Sequence, residues 1–168
     1  MTIHKEVLSD LKEKFEVAQK LVEDCKSDTL EPYKNHYKCR EILLELETDV
    51  EKLLAVTEDK RDELVLRAIL GYIQKDIGKI NSFVEETNQA EIYLKKALEL
   101  LEVDKLEPEV IIYYVDTLNQ LGILWSKLND NDKSKEFLVK SEIIAKEFKE
   151  TEKEPLTIFD VFGTSDEI

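Results

Sequence analysis

Leu118-Asn119-Gln120-Leu121-Gly122-Ile123-Leu124-Trp125-Ser126 is the stretch on which the fold turns. Its apolar residues recur at helical spacing, with one small residue, Gly122, on the apolar side. Twelve residues after that glycine comes Ser134, then Leu138 four further on, then Ser141 after three more. The same order stands 44 residues earlier, as Gly78, Ala90, Leu94 and Ala97. The next pair, Leu98 and Glu142, does not match. A small residue in a first helix lets a second helix approach closely. Small residues on one face of the second admit a further hairpin, and the large one fills the gap between them.

Small–small–large–small over a helix–turn–helix is the tetratricopeptide pattern. In the second copy Leu118, Leu121, Gly122 and Trp125 match the first-helix spacing W-x2-L-G-x2-Y, with Leu for Trp and Trp for Tyr. The first copy has Ile77-Gly78 flanked by Gln74 and Asn81. An offset of 44, against about 34 in the consensus, calls for longer helices or a longer connection. The expected architecture is all-α: tetratricopeptide-like helical hairpins, about six helices in a right-handed solenoid segment.

Working outward, amphipathic stripes predict helices over residues 3–26, 32–55, 60–83, 89–102, 108–128 and from the Asn129–Asp132 turn to 149. Leu8, Leu11, Phe15, Ala18, Val22 and Cys25 form the first stripe, which Ser27-Asp28-Thr29 ends. Pro32 and Pro108 fall where proline is best tolerated, in a first helical turn. Asn88 with Glu91 three residues on reads as a cap for the fourth helix. Ile111-Ile112 and Tyr113-Tyr114 have β-propensity, yet their run continues into a leucine stripe, so a helix is the simpler reading. Residues 1–149 therefore make one helical repeat domain. Residues 3–55 form an N-terminal capping hairpin, 60–102 the first repeat and 108–149 the second. An array of repeats needs such an atypical end unit to cover its exposed face. Residues 150–168 hold six carboxylates and one lysine, with Pro155 and Gly163, and read as an acidic, disordered tail. Its Ile158-Phe159 and Val161-Phe162 are unusual for a solvated segment.

The 168 residues carry 24 basic and 38 acidic side chains, a net charge of −14. Nucleic acid and anionic membrane are poor partners for that balance. Only 4 Gly and 3 Pro argue against turn-rich β folds and flexible linkers. Two cysteines, Cys25 and Cys39, make no disulfide framework. The N-terminus is charged where a signal peptide needs an apolar run, and no stretch is apolar enough to insert in a membrane. A reduced cytoplasmic setting follows as the expectation.

Signals for chemistry are weak. Gly71-Tyr-Ile-Gln-Lys-Asp-Ile-Gly78-Lys79 is superficially a phosphate loop, but its glycines are too far apart and Ile80 stands where Ser or Thr holds the metal. His36 and Cys39 lie three apart with no second ligand pair, and read as a surface histidine and a packed cysteine. Glu16 and Lys20, Glu91 and Lys95, Glu136 and Lys140, and Glu142 and Lys146 are helix-supporting pairs, not acid–base dyads. No nucleophile–histidine arrangement stands out. The expectation is a protein without catalytic, metal or cofactor site. Trp125 is expected inside its hairpin. The groove of such repeats is lined by first helices. Its polar positions would be Lys75, Lys79 and Ser82 in the first copy, and Asp116, Asn119, Ser126 and Lys127 in the second.

Three motifs carry a resemblance. Glu13-Lys14-Phe15 opens the first helix, Glu31-Pro32-Tyr33-Lys34 the second, and Leu121-Gly122-Ile123-Leu124-Trp125-Ser126 sits in the fifth. In this order the chain, over roughly residues 10–155, resembles the amino-terminal part of the kinesin-binding protein family. The resemblance implies a non-catalytic tetratricopeptide-type solenoid that binds kinesin motor domains, associates with the cytoskeleton and acts in microtubule organisation, mitochondrial transport and axon growth. Family proteins are several times longer than this chain. A second reading is an adaptor for a peptide or chaperone tail, with Lys75 in a carboxylate clamp, although Lys79 stands where such clamps use Asn. A third is a helical unit that assembles with other helices.

Overall fold

The computed structural model describes residues 5–24, 33–103 and 107–150. Among the described residues six helices follow one another: α1 Lys5–Asp24, α2 Lys34–Val56, α3 Lys60–Phe83, α4 Thr87–Glu102, α5 Pro108–Lys127 and α6 Asn131–Glu150. Each packs antiparallel on the next, and α3 also packs on α5. The expected all-α chain of helical hairpins is what folds. Ile111 to Tyr114 are helical, as their continuation into the leucine stripe requires.

The 44-residue offset recurs in the backbone of two turns. In the turn after α3, Val84 N–H donates to Ile80 O, Glu85 N–H to Ser82 O and Glu86 N–H to Asn81 O. After α5, Leu128 N–H donates to Leu124 O, Asn129 N–H to Ser126 O and Asp130 N–H to Trp125 O. Glu85 and Asn129 take the same left-handed conformation, with φ of 67° and 62°. Both turns use one residue at positive φ to satisfy the last carbonyls of a first helix and reverse the chain.

The small residues serve the close approach that their spacing predicts. A Cβ on Gly78 would lie 2.7 Å from Leu94 Cγ, and one on Gly122 would lie 2.6 Å from Leu138 Cγ. Ser134 tightens the second crossing by donating to Gly122 O at 2.7 Å. Gly71 abuts Leu101 in the same way, so the apparent phosphate loop is one face of α3 against α4. Ala90, Leu94 and Ala97 are fully buried, as are Leu118 and Leu121.

The core runs from Leu11, Phe15 and Ala18 of α1 through α2 and α3 to Tyr114 and Leu118 of α5. Phe15 and Tyr72 meet edge to face with ring centroids 5.3 Å apart, and Tyr72 and Tyr113 at 5.2 Å. One aromatic row thus joins α1, α3 and α5, the leading helices of the three hairpins. Leu98, partly buried between two apolar clusters, has α5 to pack on, whereas Glu142 at the equivalent position is exposed. That difference in surroundings accounts for the mismatched pair.

Three expectations change. Asn88 does not cap α4: the helix starts at Thr87 with Glu86 as its cap residue, and no side chain caps it. The turn's own backbone hydrogen bonds set the start one residue ahead of Asn88. His36 is 6% exposed, because Phe83 stacks on it at 4.4 Å and Tyr33 meets its edge at 6.0 Å. α2 starts at Lys34, after Tyr33 in left-handed conformation, two residues past the proline expected in its first turn. Pro32, Cys25, the Ser27-Asp28-Thr29 break and residues 151–168 lie outside the described residues, as do the side chains of Leu8 and Val22.

Candidate partner groove

The seven polar positions expected along the groove fall into two groups. Lys79, Ser126 and Lys127 are exposed, on the last turns of α3 and α5. Lys75, Ser82, Asp116 and Asn119 are engaged in holding the helices together. Lys75 is the plainest correction. Its side chain is expected in solvent, yet the residue is 3% exposed. Its ammonium lies 2.8 Å from Asp76 Oδ1 and 2.9 Å from Asp116 Oδ2, and 3.9 Å from the centroid of the Tyr72 ring. Burial alone would lower the pKa of this ammonium. The two carboxylates and the Asp76 hydrogen bond outweigh that and raise it above the ordinary lysine value. The charge is therefore retained inside the α3–α5 contact.

Ser82 is buried, and its carbonyl accepts from Lys127 Nζ at 3.2 Å. A cation at the C-terminus of α3 adds a second donor to this carbonyl, beside Glu85 N–H, and complements the helix dipole. Asn119 accepts from the Ser141 hydroxyl at 2.5 Å, which binds α5 to α6. Trp125 lies in the α5–α6 hairpin as expected, half-buried, with Lys133 Nζ 4.2 Å from its ring centroid. Its indole N–H is buried without a hydrogen-bond partner. Of the four predicted helix pairs, Glu91 and Lys95 close at 2.6 Å.

Sequence reasoning missed two clusters. At one end Arg40 reaches Asn81 at 2.8 Å, pairs with Glu86 and covers the Tyr37 ring at 5.0 Å, beside the His36–Phe83 stack. In the middle Glu47, nearly buried on α2, accepts from Gln74 at 3.1 Å and faces Lys96 at 3.7 Å. Both join residues of different helices, so neither leaves a local spacing signal. Nearby Tyr93 has its phenol pKa raised, by burial and then by Glu47 and Glu51, with Arg40 opposing. Among the described residues no group of three or more His, Cys, Asp or Glu is placed to hold a metal, and no helix is long and apolar enough to cross a membrane.

The arrangement is that of a scaffold whose polar residues bind helix to helix. The chain is 34% identical to the KIF-binding protein of Drosophila melanogaster over 99% of its own length. It is 28% identical to that of Gallus gallus over 85% of its length, and 29% identical to that of Homo sapiens over 86%. This chain is homologous to KIF-binding protein. It spans less than a third of these curated relatives: 29%, 24% and 28% of the fly, chicken and human proteins. No family model and no solved structure matches it. Of the motifs that resemble the KIF-binding proteins, Glu13-Lys14-Phe15 lies on α1, where Phe15 starts the aromatic row. Leu121 to Ser126 carries the Gly122 crossing on α5.

Proposed function

We propose that this chain is a non-catalytic binding protein that engages kinesin motor domains in the cytoplasm and so regulates microtubule-based transport, including microtubule organisation, mitochondrial transport and axon growth. The observation that carries the reading is the 34% identity to a KIF-binding protein along nearly the whole chain. The charge supports it. A motor's filament-binding face is basic because tubulin is acidic. A chain of net charge −14 is attracted to such a face and gains on-rate from it.

Within this reading α1 and α2 cap the array, and α3–α4 and α5–α6 act as its two repeats. The candidate groove residues carry little negative charge, since Asp116 is already paired with Lys75. The attraction then falls on exposed carboxylates elsewhere, such as Glu41, Glu45 and Glu51 on α2. Lys79 and Ser126 serve as short-range contacts, whereas Lys127 is already bonded to Ser82 O. The adaptor reading loses its key residue, because a Lys75 buried between two carboxylates is not free to clamp a third.

The test is binding of the purified chain to a panel of kinesin motor domains, with microtubule competition at two salt concentrations. Binding that displaces microtubules and weakens several-fold at the higher salt is expected. A chain that is folded by circular dichroism yet binds no motor overturns the reading. Affinity that is flat in salt overturns its electrostatic part.

A further inference from the structure

The turns after α3 and α5 share a backbone but differ in what they present. Where the second has Lys127 and Asn129, the first has Phe83 and Glu85. Phe83 is 52% exposed. Its ring stacks on His36 at 4.4 Å with 11° between the planes, so one of its faces is covered. Tyr33 stands nearly perpendicular to both rings, 5.6 Å from Phe83 and 6.0 Å from His36 between centroids. It is too near His36 to lie over the other face of Phe83, so it flanks the stack. The outer face of Phe83 is therefore open, on a ring that two neighbours hold in place.

An open aromatic face attracts cations, because its quadrupole is negative there. Glu85 adds a carboxylate two residues on, its Cα at most about 7 Å from that of Phe83. It is exposed, and among the described residues no ion pair or hydrogen bond engages its side chain. Glu85 also holds a left-handed φ of 67°, a conformation that suits Asn129 in the twin turn and strains a glutamate. Strain of this kind gathers at binding and switch sites. The cations nearest the stack are already engaged. Arg40 pairs with Glu86 and Asn81 and covers Tyr37, and Lys34 has a partner of its own. Burial lowers the pKa of His36, so the ring behind Phe83 is neutral at pH 7.

We propose that Phe83 and Glu85 receive an arginine or lysine side chain of a protein partner, its cation stacked on the open face of Phe83 and paired with the Glu85 carboxylate. The identity of the partner rests on the kinesin reading above, in which that side chain belongs to the basic face of the motor. Lys79, exposed one turn back on the same face of α3, would suit an acidic occupant instead. The twin turns favour the basic one, because both changes run its way: a ring for an ammonium, and a carboxylate for an amide.

The test titrates the full chain with end-blocked tri-arginine, and separately with tri-glutamate, following the peptide protons by NMR. Tri-arginine should show saturable upfield ring-current shifts of its side-chain methylenes. Phe83→Leu keeps apolar bulk on His36 but has no π face, and should reduce these shifts at least several-fold. Glu85→Asn should weaken tri-arginine binding several-fold while its urea midpoint stays the same or rises, which separates lost binding from lost folding. Motor domains that bind the unaltered chain should bind both variants several-fold more weakly. A tri-arginine shift that is absent, or unchanged in either variant, overturns the proposal. So does motor binding that is unchanged in either variant, which leaves the kinesin reading standing. Tighter binding of tri-glutamate would make the occupant acidic and overturn it too. If no motor binds while tri-arginine behaves as expected, the site stands and the kinesin reading falls.

Discussion

Lys75 Nζ on α3 lies 2.9 Å from Asp116 Oδ2 on α5, so the leading helices of the last two hairpins share an ion pair whose lysine is buried and whose carboxylate is half-exposed. The lysine also spans the Tyr72 ring, part of the aromatic row that runs along the same contact. Removing the ammonium while keeping the stem leaves half-exposed Asp116 to water, but leaves Asp76, 19% exposed, without the cation that lies 2.8 Å from it. Lys75→Met should therefore cost about 1–2 kcal/mol. Lys75→Ala also loses the packing of the stem on Tyr72 and should cost about 2–3 kcal/mol. Urea unfolding of both variants measures this. A double-mutant cycle with Asp116→Asn should return a coupling of about 1 kcal/mol.

Gly78 and Gly122 occupy equivalent crossings but should tolerate alanine differently. At Gly78 an added methyl meets fully buried Leu94, and its backbone N at 3.2 Å, so nothing can give way cheaply. Overpacking of about 1–3 kcal/mol outweighs a helix-propensity gain of about 1 kcal/mol. Gly78→Ala should lower the urea midpoint. At Gly122 the methyl meets the Ser134 backbone oxygen at 3.3 Å and Leu138, whose side chain is 40% exposed and has room to move. Gly122→Ala should therefore cost less than Gly78→Ala, with the overpacking partly offset by a helix-propensity gain of about 1 kcal/mol.

The close helix crossings at Gly78 and Gly122 are legible in the sequence because small residues at fixed helical spacing leave a local, periodic signal. Gly78 with Leu94 and Gly122 with Leu138 are read directly from that period. The start of α4 was not legible, because the hydrogen bond from Glu86 to Asn81 is made by backbone and needs no particular side chain. Nor was the burial of Lys75 or His36, since the groups that cover them, Asp116 and Phe83, belong to other helices. For the candidate groove, register placed the residues on first helices. It did not tell Lys79, which faces solvent, from Lys75, which is used to join α3 to α5.

His36 should make the fold acid-sensitive near neutrality. Burial under Phe83 lowers its pKa below the ordinary histidine value of 6.5. The unfolded chain then takes up a proton at a higher pH than the folded one does. The resulting stability is full above the unfolded pKa and declines as pH falls through that value toward the folded one. Melting temperature should drop between pH 7.5 and 5.5, a window above the ordinary carboxylate range. His36→Phe keeps an aromatic ring to stack on Phe83 and cannot titrate, so its melting temperature should be flatter over the same window. Equal slopes for both chains would assign the sensitivity to other groups.

Glu85 and Asn129 give a last comparison, because they hold the same turn position with the same left-handed φ. That region disfavours most L-residues by roughly 1–2 kcal/mol, and Asn and Gly least. The turn after α3 thus carries a strained glutamate where its twin carries a suitable asparagine. Glu85 is exposed, so replacing it removes no buried side chain. Its N–H to Ser82 O hydrogen bond is backbone and survives substitution. Glu85→Gly should raise stability by about 0.5–1 kcal/mol, against the usual direction of a glycine substitution. Asn129→Ala should lower it by a similar amount. If glycine at 85 destabilised the chain in urea, conformational strain would not be what distinguishes the two turns.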